Sequence, residues 1–241
     1  MWIVVAVGIG LIALAHTAPA PFVLEALAGH RALWHMPRTS PPTIYLTFDD
    51  GPNPSTTPDL LNVLAREQAH ATFFLIDRHV TEETAPIIRR MFAEGHAVGL
   101  HTASRADMLW SASEVAQKLT EAADRIEALT GSRPCRVFRP HAGWRTGQMY
   151  IGLQRIDHKL VGWGWMLWDW NWFRHRTADS IVKRIANRVS GGDIVVIHDG
   201  DENAPRKDQR QAVDATARLI AHLRSRGFSF GTVCSSRSVD V

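Results

Sequence analysis

Tyr45-Leu-Thr-Phe-Asp-Asp-Gly-Pro-Asn-Pro54 runs from strand-forming residues straight into two adjacent carboxylates. Thr43–Phe48 carries the aromatic and β-branched side chains that suit a pleated surface, so it predicts a strand. Gly51 lets the backbone turn sharply and Pro52 stiffens the exit, which holds Asp49 and Asp50 at the strand's rim. Neighbouring like charges repel, and a cation beside them relieves the repulsion. One carboxylate with an imidazole suits zinc or a similar divalent ion, and a second carboxylate left off the metal can take a proton.

Outward from this stretch, short apolar strands alternate with helical patterns. Thr57-Pro58 offers an N-cap and an N1 proline to a helix carrying Leu60, Leu61 and Leu64. Ala71–Ile76 predicts a second strand, followed by a helix through about Ala93 with Gly95 just beyond it. Ala97–Leu100 predicts a third strand. Ser111-x-x-Glu114 has the form of a capping box opening a helix with Val115, Leu119, Ala122, Ile126 and Leu129, closed by Gly131. Further strands are expected at Arg136–Phe138, Lys159–Leu167, Ile194–Ile197 and Phe228–Val233, with helices near 179–189 and 209–225. Such alternation implies parallel strands joined by right-handed crossovers. Seven or eight units close most easily into a barrel, and periodicity does not separate this from an open doubly wound sheet.

Composition sets the outer bounds. A chain of 241 residues with 45% hydrophobic and 21% charged residues has material for one sizeable core. The net charge of +3 comes with no run of five or six Lys/Arg, which argues against a nucleic-acid partner. Two cysteines are too few for a disulfide framework, and two buried thiols are the expectation; one disulfide needs an oxidising compartment. Trp2–Ala15 contains only apolar residues and glycine, the length of a signal-peptide core and short for a membrane span. An export signal or uncleaved anchor is expected, giving residues 2–15 a membrane association and the protein a place in the cell envelope.

The polar residues fall in a pattern. Asp49 and Asp50 follow the first strand, His101 the third, Arg139 and His141 the strand ending at Phe138, Asp169 the one ending near Leu167, and His198 the one ending at Ile197. In a barrel of parallel strands these ends share one rim, where such folds carry their chemistry. Asp199 and His96 read as structural.

Thr47-Phe-Asp-Asp-Gly-Pro52, His101-Thr102, Phe138-Arg-Pro140 with Gly143, and Ile194-Val-Val-Ile-His198-Asp resemble, in order, the motifs of polysaccharide deacetylases, carbohydrate esterase family 4. The resemblance runs from about Thr43 to Val233. It implies an α/β fold, a distorted, incomplete (β/α) barrel of about seven parallel strands at 41–241, behind an N-terminal segment and linker at 1–40. It also implies metal-assisted hydrolysis of the N-acetyl group of a glycan, an O-acetyl group being the lesser reading. Asp49 takes the position of the general base, Asp50 and His101 those of metal ligands, and His198 that of the acid protonating the leaving amine. Arg139 would pair with Asp49. The backbone N–H of Ala142 would help hold the oxyanion. Asp169 would tune His198, and Trp170 and Trp172 would wall the sugar site.

One motif departs from the family. Its second motif ends in a ligand histidine, where this chain has Arg105, which cannot bind a cation. A third ligand from elsewhere, with His141 the best placed, a weakly held metal, or a site without metal are the three readings. The last would leave a glycan-binding protein without turnover, or an enzyme working without metal. A hydrolase of another carbon–nitrogen bond is a further alternative.

Overall fold

The computed structural model describes residues 2, 4–8, 10, 32–164, 167–170 and 176–234. Seven strands form one sheet: β1 (Thr43–Gly51), β2 (Thr72–Ile76), β3 (Ala97–His101), β4 (Val137–Arg139), β5 (Lys159–Leu160), β6 (Ile194–His198) and β7 (Ser229–Phe230). The order β5-β4-β3-β2-β1-β6 is parallel throughout. Consecutive strands are neighbours and β6 returns to the free side of β1, which is barrel order and excludes the doubly wound sheet. Short β7 pairs with the start of β1, and the Val233 amide donates to Thr72 Oγ1 of β2 at 3.0 Å.

Among the described residues, six helices pack around the strands: α1 (Thr57–Arg66), α2 (Ala85–Ala93), α3 (Ala112–Thr130), α4 (Gly147–Arg155), α5 (Ala178–Ile185) and α6 (Arg210–Ser225). The capping box of Ser111 and Glu114 opens α3, and Gly131 ends it in the left-handed conformation at φ 76°. Two expectations are corrected. Thr57 does not cap α1; its hydroxyl donates to Asp199 instead. Helix α4 was not foreseen, because Gly147 and Gly152 mask its pattern. Gly152 serves close packing: a Cβ there would stand 2.6 Å from Val115 Cβ of α3.

Two-residue periodicity divides the core. Ile44, Leu46 and Phe48 of β1 point outward with Phe73, Leu75, Val195 and Ile197 into the layer under the helices, where Phe48 and Phe73 stack at 5.2 Å. Tyr45 points inward with Phe74, Val137, Trp163, Ile194 and Val196. The same alternation turns Asp49, His101, Arg139 and His198 to the inner face at the C-terminal ends.

The barrel is not closed by strand pairing between β5 and β6. The strand expected over Lys159–Leu167 stops at Leu160, where the chain turns its hydrogen bonds to Leu33: the Leu33 amide donates to the Leu160 carbonyl at 2.7 Å, and Trp34 packs where a Cβ on Gly162 would stand. From there the chain crosses the gap. Gly162 donates to Leu33, Gly164 to the Ile194 carbonyl and Asp169 to the Val196 carbonyl. Trp168 bridges to Val196 in parallel.

Cys135, before β4, and Cys234, after β7, form a disulfide with Cα atoms 6.2 Å apart, correcting the expectation of two buried thiols. Among the described residues no helix is long and apolar enough to cross a membrane. Trp165, Trp172 and residues 11–15 of the expected anchor lie outside the described residues.

Candidate active site

Successive residues of a strand face opposite sides, so Asp49 and Asp50 should not both reach the barrel interior. A bulge resolves this. Asp49 pairs with Phe74 and Gly51 with Leu75, leaving Asp50 as an extra residue at φ 70°. Aspartate tolerates this left-handed conformation better than most residues, and bulges re-aim side chains. Two contacts hold the bulge. His79 Nδ1 donates to the Asp50 carbonyl at 3.1 Å, and Gly200 lies so close that a Cβ would stand 2.1 Å from that oxygen. Both carboxylates line one cavity of about 370 Å³, shared with His101, His141, Ala142, Trp170 and His198.

Asp49 faces Arg139, which is fully buried. Arg139 Nη1 donates to Asp49 Oδ1 at 2.6 Å and to Thr47 Oγ1 at 2.7 Å, and Nη2 donates to the Gly162 carbonyl at 2.9 Å. Its guanidinium stacks over Phe74 at 4.1 Å. Removing either partner of such a buried pair leaves the other charge uncompensated, a cost of about 3–5 kcal/mol. This orients Asp49 rigidly.

Asp50 Oδ1 is buried and has no hydrogen-bond partner among the described residues. His101 Nε2 lies 3.3 Å away, but His101 Nδ1 donates to the Arg139 carbonyl at 2.7 Å, so a neutral imidazole turns a lone pair toward Asp50. In that neutral form two acceptors face each other, which suits a cation; without one, burial lowers the His101 imidazole but the Asp49 and Asp50 charges raise it, and the protonated ring pairs with Asp50. His141 completes the set: ligand atoms of Asp50, His101 and His141 all lie within 4.8 Å of one another. One carboxylate and two imidazoles are a fitting donor set for a divalent ion, the His101–carbonyl contact being the usual support for a ligand histidine. Burial alone would raise the Asp50 carboxyl, yet contact with His101 and the nearby His198 and His141 hold it well below the carboxylate range. Burial and the neighbouring His101 lower the His141 imidazole, which favours the neutral form that binds metals. The His141 amide donates to Thr102 Oγ1 at 2.8 Å, fixing its loop. Arg105 is exposed on the cavity wall and belongs to no ligand set.

The gap-crossing segment brings in Asp169. Its Oδ1 accepts from His198 Nδ1 at 2.6 Å and its Oδ2 from the His198 backbone amide at 2.9 Å. Burial would lower the His198 imidazole, but the Asp169 charge overrides it and pushes it up to about 9. Arg176 Nη1 reaches Asp169 Oδ2 at 3.3 Å. Trp170 stands edge-on to His198 at 5.8 Å and stacks on Trp168 at 4.7 Å.

All the expected site residues within the described parts therefore meet around one cavity, Arg139 and Asp169 from behind their partners. Trp172 lies outside the described residues. Thr47, Thr102 and Arg176 were missed. Thr47 was legible as the inward residue two before Asp49; Arg176 had no local signal. Asp199 is structural as expected, fully buried, its carboxyl raised by burial to about 7 and accepting from Thr57. His96 Nδ1 accepts from the Ala71 amide at 3.3 Å, also structural.

The comparisons with known proteins agree with this geometry. The family model described as polysaccharide deacetylase matches residues 37–160. A chitooligosaccharide deacetylase of Bradyrhizobium sp. is 37% identical over 202 residues, 77% of this chain and 86% of that protein. A peptidoglycan-N-acetylglucosamine deacetylase of Bacillus cereus is 29% identical, covering 83% of this chain and 90% of that one. The solved peptidoglycan deacetylase PdaC of Bacillus subtilis superposes with a TM-score of 0.67 at 30% identity, over 80% of this chain and 88% of that one. The chain belongs to the polysaccharide deacetylase family of hydrolases, built on its distorted barrel.

Proposed function

We propose that this protein removes the N-acetyl group from an amino sugar of a glycan, using Asp49 as base and His198 as acid. The observation that carries the reading is the close grouping of Asp50, His101 and His141 beside Asp49–Arg139 and His198–Asp169 in one cavity. A divalent cation, zinc on the chemistry of the donors, would be held by Asp50, His101 and His141 and would polarise the acetyl carbonyl as a Lewis acid.

The chain's own groups supply the proton transfers. Asp49, oriented by Arg139, accepts the proton of the attacking water. His198 is raised to about 9, so it is protonated at neutral pH and can give its proton to the leaving nitrogen. Asp169 sustains that charge. The Ala142 N–H donates to the oxyanion, and Trp170 forms a wall for the sugar ring. An amine leaves poorly unless protonated, which favours an N-acetyl over an O-acetyl substrate. The names of the relatives point to chitooligosaccharide or peptidoglycan strands.

We further propose that residues 1–40 direct or anchor the domain of 41–241 to the cell envelope. The Cys135–Cys234 disulfide supports an oxidising compartment, and the apolar stretch 2–15 supports membrane association. Acetate release from N-acetylglucosamine oligomers tests the activity. Asp49→Asn, its folding checked by circular dichroism, should lower kcat/KM by roughly 10²–10⁴-fold. No acetate from zinc-loaded protein on any acetylated glycan would defeat the proposal, leaving binding without turnover or another carbon–nitrogen bond.

A further inference from the structure

Arg105 opens a short 3-10 helix, Arg105–Leu109, whose first turn is capped by Ser104 and Asp107. Its exposed guanidinium lines the same cavity as Asp49, Asp50 and His198. Among the described residues, no hydrogen bond or ion pair engages it. The carboxylates around it are committed elsewhere. Asp107 Oδ2 accepts from the Ser104 amide at 3.1 Å. Asp201 holds Lys207 and the amides of Asn203 and Ala204. Asp49 is taken by Arg139. Glu202 Oε1 accepts from Asn203 Nδ2 at 3.3 Å. A second guanidinium on the wall, Arg176, is only partly used by Asp169 at 3.3 Å.

An arginine with its donors free, aimed into a substrate cavity, matches a planar two-oxygen anion. The charge of that anion is bounded. Asp50, Asp201 and Glu202 share the cavity wall, so a dianion such as a phosphate monoester meets more repulsion than a single carboxylate does.

We infer that Arg105 anchors a carboxylate of the substrate, so the preferred glycan carries an acidic group on, or next to, the acetylated sugar. This rests on the deacetylase reading for the identity of the reaction, not for the role of Arg105. Neutral oligomers would bind through the aromatic wall and the catalytic groups alone.

Three oligosaccharides of equal length separate the sources. One contains only N-acetylglucosamine, one contains N-acetylmuramic acid, with the carboxylate on an acetylated sugar, and one has a uronic acid beside N-acetylglucosamine. Acetate release and Kd by calorimetry are measured for the wild type, Arg105→Gln and Arg105→Lys. The wild type should prefer an acidic oligomer, and Arg105→Gln should cut that preference about tenfold, the worth of one charge-assisted hydrogen-bonded pair. Arg105→Lys, which keeps charge but not the fork, should retain part of it. Whichever acidic oligomer shows the effect identifies where the carboxylate sits. Equal losses on acidic and neutral oligomers, an unchanged preference, or a wild-type preference for the neutral one would overturn the inference. If no oligomer releases acetate, the deacetylase reading falls, and the ratio of Kd values still decides the role of Arg105.

Discussion

Asp169→Asn removes the charge that keeps His198 protonated, and its consequence can be worked through. His198 rises from its ordinary 6.5 to about 9 against the lowering effect of burial, with Asp169 the largest favourable contributor and Asp50 and Asp49 adding to it. A displacement of that size corresponds to about 3 kcal/mol between the two protonation states. Because the folded state binds this proton more tightly, the stabilisation is complete below about pH 6.5 and is lost as pH rises through about 9. In Asp169→Asn the amide can still meet Nδ1, but burial regains most of its effect and His198 falls back toward its ordinary value. The assay is a histidine NMR titration from pH 5 to 10 on protein stripped of divalent metal with a chelator. Denaturant unfolding at pH 6 and pH 9.5 accompanies it. The wild type should lose stability between those two pH values by an amount that the variant does not. If His198 of Asp169→Asn still titrates near 9, the source of its charge is not Asp169 and the acid role argued for it loses its basis.

Other outcomes follow from the same geometry. His141→Ala should weaken zinc binding by at least about 10–100-fold, the loss seen even for supporting partners of a ligand. Equilibrium dialysis checks this, and undiminished affinity would remove His141 from the ligand set. Cys135→Ser opens a loop of sequence separation 99 and should cost up to about 4–5 kcal/mol in denaturant unfolding. Two titratable thiols in the denatured, unreduced protein would contradict the bond itself.

The fold was legible from Thr43–Phe48 and the alternating segments after it, because period-two strands and capped amphipathic helices are encoded in neighbouring residues. The capping box at Ser111 and the glycine stop at Gly131 appear where the sequence has them. The end of the strand at Leu160 was not legible, since the chain there pairs with Leu33, a residue more than a hundred positions away. Helix α4 escaped because Gly152 answers to packing against α3, not to local propensity.

The site divides in the same way. By itself the sequence determined which chemical groups are present and at which strand ends they sit: two carboxylates at β1, imidazoles at β3 and β6, and an arginine at β4. Strand alternation then sets Asp49, His101, Arg139 and His198 on one face. Only the tertiary structure decided the rest. The bulge turns Asp50 into the cavity beside Asp49, and the loop after β4 brings His141 within ligand distance where Arg105 could not serve. The irregular crossing from β5 to β6 delivers Asp169 to His198. Each of these depends on contacts between segments far apart in the chain, and local sequence carries no signal for where such segments meet.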